Sequence, residues 1–205
     1  MTRKRLATDE RRAQLLQLGV ELFSRHPFDA LTTDLIATEG GVSKGLLFHY
    51  FGSKRGFYIA TIEHVADQLL IHVVLDPERA PLATVLDAVE RFLDFVGEHA
   101  AIYRALLRGG LGADPQSQAI VERVRWTIVH RVGGLLSTGD VSGPVNAEPV
   151  TTQGGLRLYG WVGTVEALSL AWIDLGVERE LIRSLILESF APVLAAWSRD
   201  RQPRP

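Results

Sequence analysis

Apolar residues recur along this chain at spacings of three and four, the period of an amphipathic helix, and no stretch alternates as a strand would. Leu15, Leu18, Leu22 and Phe23, with Gly19 among them, form one such stripe, closed by Pro27. A second runs from Lys54 to about Leu75. A third, from about Leu82 to Gly97, places Val85, Leu86, Val89, Leu93 and Val96 on one side. Shorter or later helices are predicted over Ala100–Arg108, about Gln116–Leu136, about Thr152–Leu175 and about Glu178–Arg199. Pro77 and Pro81, the run Gly109-Gly110-Leu111-Gly112, and the stretch 138–150 with Gly139, Gly143, Pro144 and Pro149 read as breaks. Asp9 and Glu10 suit a first helical turn, where negative charge opposes the helix dipole.

Between Leu31 and Ser53 the pattern tightens. Leu35, Ile36 and Ala37 are the apolar part of one short helix, and Gly40-Gly41 breaks it, since glycine accepts the positive φ of a tight turn. Val42 is the plug of that turn. Ser43 is a good N-cap for a second short helix, and Ser53 for the long helix from Lys54. Two helices of this length joined by a glycine turn suit insertion of the second into a DNA major groove. On that second helix Leu47 and Phe51, four apart, face inward. Lys44, Gly45, Phe48 and His49 then face outward. The expected fold class is all-α: about nine helices, three in an N-terminal helix-turn-helix unit (residues 1–53) and the rest in a larger bundle (54–205).

Composition narrows the class. The 205 residues are 46% hydrophobic and 22% charged, the balance of a globular protein able to bury a core. No cysteine is present, which excludes a disulfide scaffold and a thiolate metal site and suits a reducing cytoplasm. The opening Met-Thr-Arg-Lys-Arg is followed by polar residues, so no signal peptide is expected. No run of about 18 apolar residues predicts a membrane span. The net charge of −2 is unevenly spread: residues 1–57 hold nine Lys/Arg and six Asp/Glu, leaving 13 of the chain's 22 basic and 18 of its 24 acidic residues beyond. A cationic part carrying the helix-turn-helix is the electrostatic footprint of a polyanion reader. Arg3, Lys4 and Arg5 read either as an arm for the minor groove or as a solvated tail.

Residues 9–60 resemble the DNA-binding domain of the TetR family of bacterial transcriptional regulators. The matching string is Leu31-Thr32-Thr33-Asp34-Leu35-Ile36-Ala37, then Gly41-Val42-Ser43-Lys44-Gly45, then His49-Tyr50-Phe51 and Lys54. The resemblance implies a cytoplasmic homodimer that binds a palindromic operator in double-stranded DNA, most simply a repressor released by a small-molecule effector. The rivals are an activator, a regulator without a ligand, or an all-helical enzyme carrying the motif. Its implied DNA-binding positions are Thr33, Ser43, Lys44, Gly45, Phe48, His49, Tyr50 and Lys54. Thr33, Tyr50 and Lys54 would meet phosphate, and Lys44 a guanine edge or a phosphate. Departures from the family pattern are Phe48 for tyrosine, Leu46 for threonine and Gly40 for alanine. Phe48 is open to three readings: stacking on sugar, meeting a thymine methyl, or packing. Gly40 is expected to loosen the first motif helix.

The resemblance also implies a dimer through the last two helices. Leu156, Gly160, Gly163, Ala167 and Ala171 form a small-residue face on one, and Ile182, Leu185, Ser189 and Val193 a face on the other, with Pro192 as a kink. The competing reading packs both faces within the monomer. An effector pocket is implied inside the bundle, with Phe92, Phe95, Tyr103, Trp126, His130 and Glu166 as candidate liners; plain core is the default reading of each, and His130 and Glu166 are the better candidates, since a polar group inside a bundle needs a partner. No metal is expected: His64 and His72 have no completing ligands. No cofactor is expected either, and no nucleophile elbow, P-loop or dinucleotide fingerprint occurs.

Overall fold

The computed structural model describes residues 2–108, 114–143 and 148–200, with side chains from 9 to 197 of these. Among them are nine α-helices: α1 (Thr2–Arg25), α2 (Thr33–Glu39), α3 (Lys44–Phe51), α4 (Lys54–His72), α5 (Pro81–Glu98), α6 (Ala100–Arg108), α7 (Pro115–Thr138), α8 (Gln153–Leu175) and α9 (Arg179–Asp200). The all-α reading holds, and helix ends fall within a few residues of the periodicity estimate. Two elements differ. A 3-10 turn at Phe28–Ala30 was invisible to a period of 3.6. The backbone of α1 begins at Thr2, so residues 3–5 are helical rather than an extended arm or an irregular tail. No glycine or proline stands between Thr2 and Gly19 to stop the helix earlier. The run 109–112 and Pro144 lie outside the described residues.

The chain divides into two compact units. One holds residues 1–68 and 99–120, the other 69–98 and 121–205. This division differs from a cut after residue 53: α6 and the first turns of α7 join the N-terminal unit, and α4 and α7 each contribute to both.

In the first unit Leu15, Leu31, Ile36, Leu47, Phe57 and Ile62 are fully buried. An aromatic cluster completes the core. Phe23 meets Tyr58 edge-on at 4.8 Å, Phe28 meets Tyr58 at 5.2 Å, and Phe51 meets Phe57 at 5.0 Å. Burial, then the charge of Asp114, pushes the Tyr58 hydroxyl up to about 12. α1 crosses α4 at Gly19, where a Cβ would collide with Thr61 Oγ1 and stand 2.9 Å from the Phe57 ring. Gly40 is the C-cap of α2. A Cβ there would lie 2.8 Å from Leu15 Cδ2, so its bareness lets α2 close on α1.

In the second unit the amphipathic α5 buries Val85, Val89, Phe92, Leu93 and Val96. α8 and α9 pack along each other. Trp161 packs at a tilt against Phe190, ring centres 4.7 Å apart, and donates its indole N–H to the Ile186 carbonyl at 3.3 Å. Glu90 on α5 holds Arg179 and Arg183 of α9, and Asp94 takes Arg179 at 2.7 Å.

Candidate functional site

The helix-turn-helix is built by its caps. Thr32 Oγ1 accepts from Leu35 N–H at 3.2 Å to start α2, and Ser43 Oγ accepts from Leu46 N–H at 3.1 Å to start α3. Gly41 turns the chain with φ +58°, where a side chain would strain the backbone. Ser53 Oγ accepts from Gly56 N–H at 2.9 Å at the start of α4. Leu47 and Phe51 anchor α3 in the core, while Val42 is only half-buried.

The outward face of α3 carries Lys44, Gly45, Phe48 and His49, as the spacing requires. Phe48 is 42% exposed, unusual for a phenyl ring. The Lys44 ammonium pairs with Asp34 of α2 at 2.6 Å, a partner that sequence reasoning missed although Asp34 stood within the motif. Both side chains are exposed, so the pair is weak and easily exchanged. His49 lies edge-on to Tyr50 at 5.7 Å, and Tyr50 and Thr33 are half-buried. Ser43 is exposed but engaged as the cap.

Lys54 has partners inside the protein that the sequence reading did not name. Its ammonium donates to the Phe28 and Leu31 carbonyls, both at 2.8 Å, and sits 4.1 Å from the centre of the Phe28 ring. Two of its three N–H groups are therefore used inside the protein, closing the 3-10 turn onto α4, and the residue is a structural tie before it is a phosphate ligand. Next to it Arg55 holds Asp114 through Nε at 2.8 Å. Asp114 in turn accepts from Gln116 N–H at 2.9 Å, capping α7. The Arg55 hydrogen bond, first among the causes, keeps the Asp114 carboxyl below the usual carboxylate range.

The candidate effector residues fall in both units. Tyr103 belongs to the first unit, while Phe92, Phe95, Trp126, His130 and Glu166 belong to the second. Phe92 and Phe95 are buried core. His130 holds the loop before α8 through Nε2 and the Glu148 carbonyl at 2.8 Å. Glu166 has found its partner within the protein: it accepts from Arg125 Nε at 3.0 Å and Nη2 at 2.6 Å. Arg125 also reaches Glu122, which accepts from the Tyr159 hydroxyl at 3.0 Å, and Tyr159 stacks on Trp126 at 4.5 Å. The Glu166 hydrogen bond holds Arg125 firmly protonated, and burial, then Glu122, raises the Tyr159 hydroxyl. Arg125, Glu122 and Tyr159 escaped the sequence reading because the contacts between α7 and α8, Glu122 with Tyr159 and Arg125 with Glu166, span 37 and 41 residues.

The small-residue face of α8 is open. A Cβ at Gly160 or Gly163 would meet nothing within 4 Å, and Leu156 is 54% exposed. Ala167 is exposed and Ala171 half-buried. The α9 half needs correction. Ile182 and Val193, 3% and 9% exposed, are buried within the monomer, and half-buried Ser189 donates to the Ile186 carbonyl at 2.7 Å. The exposed side of α9 is Leu181, Leu185 and Pro192.

Two family models match. Residues 15–61 match the model described as bacterial regulatory proteins, tetR family, and residues 81–193, more than half of the chain, the tetracyclin repressor-like C-terminal domain. The chain belongs to the TetR family. Among TetR-family crystal structures, a transcriptional regulator from Streptomyces coelicolor superposes with a TM-score of 0.77. It is 28% identical, with 94% of this chain and 83% of that one covered. The curated relatives include the HTH-type transcriptional activator FasR of Mycolicibacterium smegmatis, 35% identical over 140 residues (65% of this chain, 62% of the relative). The nucleoid occlusion factor SlmA of Haemophilus influenzae is 32% identical over 100 residues (47% and 46%). A transcriptional repressor from Streptomyces coelicolor is 27% identical over 100 residues (49% and 50%). The chain thus spans about half to two thirds of the length of these relatives. Among the described residues no helix is long and apolar enough to cross a membrane, and no group of three His, Cys, Asp or Glu side chains is placed to hold a metal.

Proposed function

We propose that this protein is a cytoplasmic, homodimeric transcriptional regulator that binds operator DNA through α3 and answers to a small-molecule effector. The observation that carries the reading is the presentation of α3. A capped helix is anchored by Leu47 and Phe51 and turns Lys44, Gly45, Phe48 and His49 outward. The relatives named activator and repressor support a role in transcription. The sign of regulation follows from where the operator lies against a promoter, which a reporter assay reads.

Dimerisation is proposed through the open stripe of α8 with the exposed side of α9, Leu181 and Leu185. Small residues let two helix backbones approach closely, and the leucines supply the apolar area. Two-fold symmetry then calls for an operator with two related half-sites, about one helical turn or a multiple apart. The effector is proposed to act in the second unit, around Trp126, Tyr159 and the Arg125–Glu166 pair. It shifts the protein between two states only by binding them unequally. α4, which contributes residues to both units, is the proposed carrier of that change.

The test is selection of bound duplexes from a random pool, followed by titration against salt. An enriched, roughly palindromic sequence with affinity falling steeply as salt rises is expected, because phosphate contacts release counterions. A flat salt response with no enriched sequence overturns the reading.

A further inference from the structure

On the outward face of α3 Ser43 Oγ is occupied as the cap, while Lys44, weakly paired with Asp34 at 2.6 Å, and exposed His49 carry its polar side-chain atoms. Gly45 and Phe48 offer none. What the face does offer is a hollow. Gly45 and Phe48 are three apart and share one side of the helix. Gly45 lies one turn N-terminal to Phe48, the direction in which helical side chains lean. That position is empty: a Cβ there would find its nearest neighbour, Ser43 Oγ, at 3.8 Å. The hollow has a bare backbone floor at Gly45 and an apolar wall at Phe48, itself 42% exposed to water. In the major groove one base presents a group of matching size and polarity, the C5-methyl of thymine.

We infer that Phe48 and Gly45 form a methyl-reading slot, and that this protein specifies a thymine in each half-site by apolar contact. The inference rests on the proposed DNA-binding role and adds what the helix reads.

The test begins with a duplex selected by the wild-type protein, in which each thymine is replaced singly by deoxyuridine. This change removes the methyl and keeps every pairing and groove hydrogen-bonding atom. At one symmetry-related thymine per half-site the wild-type protein should bind about fourfold more weakly, the loss for one methyl no longer buried. Phe48→Ala should bind the parent duplex more weakly and show no further loss at that deoxyuridine. Gly45→Ala, which fills the floor, should narrow the difference between the thymine and deoxyuridine duplexes. It serves as the second variant should Phe48→Ala lose helicity. Insensitivity of the wild-type protein at every thymine overturns the slot while leaving DNA binding intact. So does a deoxyuridine penalty that survives unchanged in both variants. Failure to enrich any duplex overturns the DNA-binding role itself, and the slot with it.

Discussion

The α1–α4 crossing in the first unit and the α8 face in the second carry the same signal, glycine on an apolar helix, and use it in opposite ways. At the crossing a Cβ on Gly19 would strike Thr61 and Phe57, so the space is consumed inside the chain. On α8 nothing approaches Gly160 or Gly163. Small residues announce that something comes close, and only the fold says whether it comes from the same chain. The two lysines of the helix-turn-helix repeat the lesson. Lys54 spends its ammonium on the Phe28 and Leu31 carbonyls, whereas Lys44 stays exposed beside Asp34.

The sharpest way to break this comparison is at the closed crossing. Gly19→Leu should lower unfolding free energy by about 3 kcal/mol in urea denaturation, from overpacking a filled site. A loss below about 1 kcal/mol would mean that the helices are not held so closely. The lysines come next. Lys54→Met keeps the stem but strands two carbonyls and should cost about 2 kcal/mol; Lys44→Met should cost under about 0.5 kcal/mol. Equal losses would erase the distinction between them. The smallest effect has the opposite sign. Gly160→Ala meets open space in the monomer and should raise its helix stability by up to about 1 kcal/mol, read in the melting temperature of the dilute protein. A destabilised monomer would show that the α8 face is covered within one chain.

Much of this was legible beforehand. The caps at Ser43 and Ser53, the glycine turn and the inward Leu47 and Phe51 follow from local rules that need only a few neighbouring residues. The helices of the second unit were legible because their apolar stripes persist for several turns. What was missed was long-range. The internal partners of Lys54 lie 23 and 26 residues earlier, in and just after a 3-10 turn that no periodicity reveals. Ile182 and Val193 were placed on the outer face because a stripe fixes which residues share a side of a helix without fixing which side meets α8. Glu166 was recognised as a polar group in need of a partner, but Arg125 sits 41 residues away on another helix.

The distribution of aromatic residues makes the two units optically unequal. All four tryptophans (Trp126, Trp161, Trp172 and Trp197) lie in the second unit, and the first carries three of the four tyrosines. Indole emission excited at the red edge of the spectrum is therefore a reporter of the second unit alone, with Trp126 against the Tyr159 ring as its most specific probe. Tyrosine emission, resolved from the tryptophan signal, follows mainly the part that carries α3. One unmodified sample can in this way be watched through two windows, one for each half of the molecule.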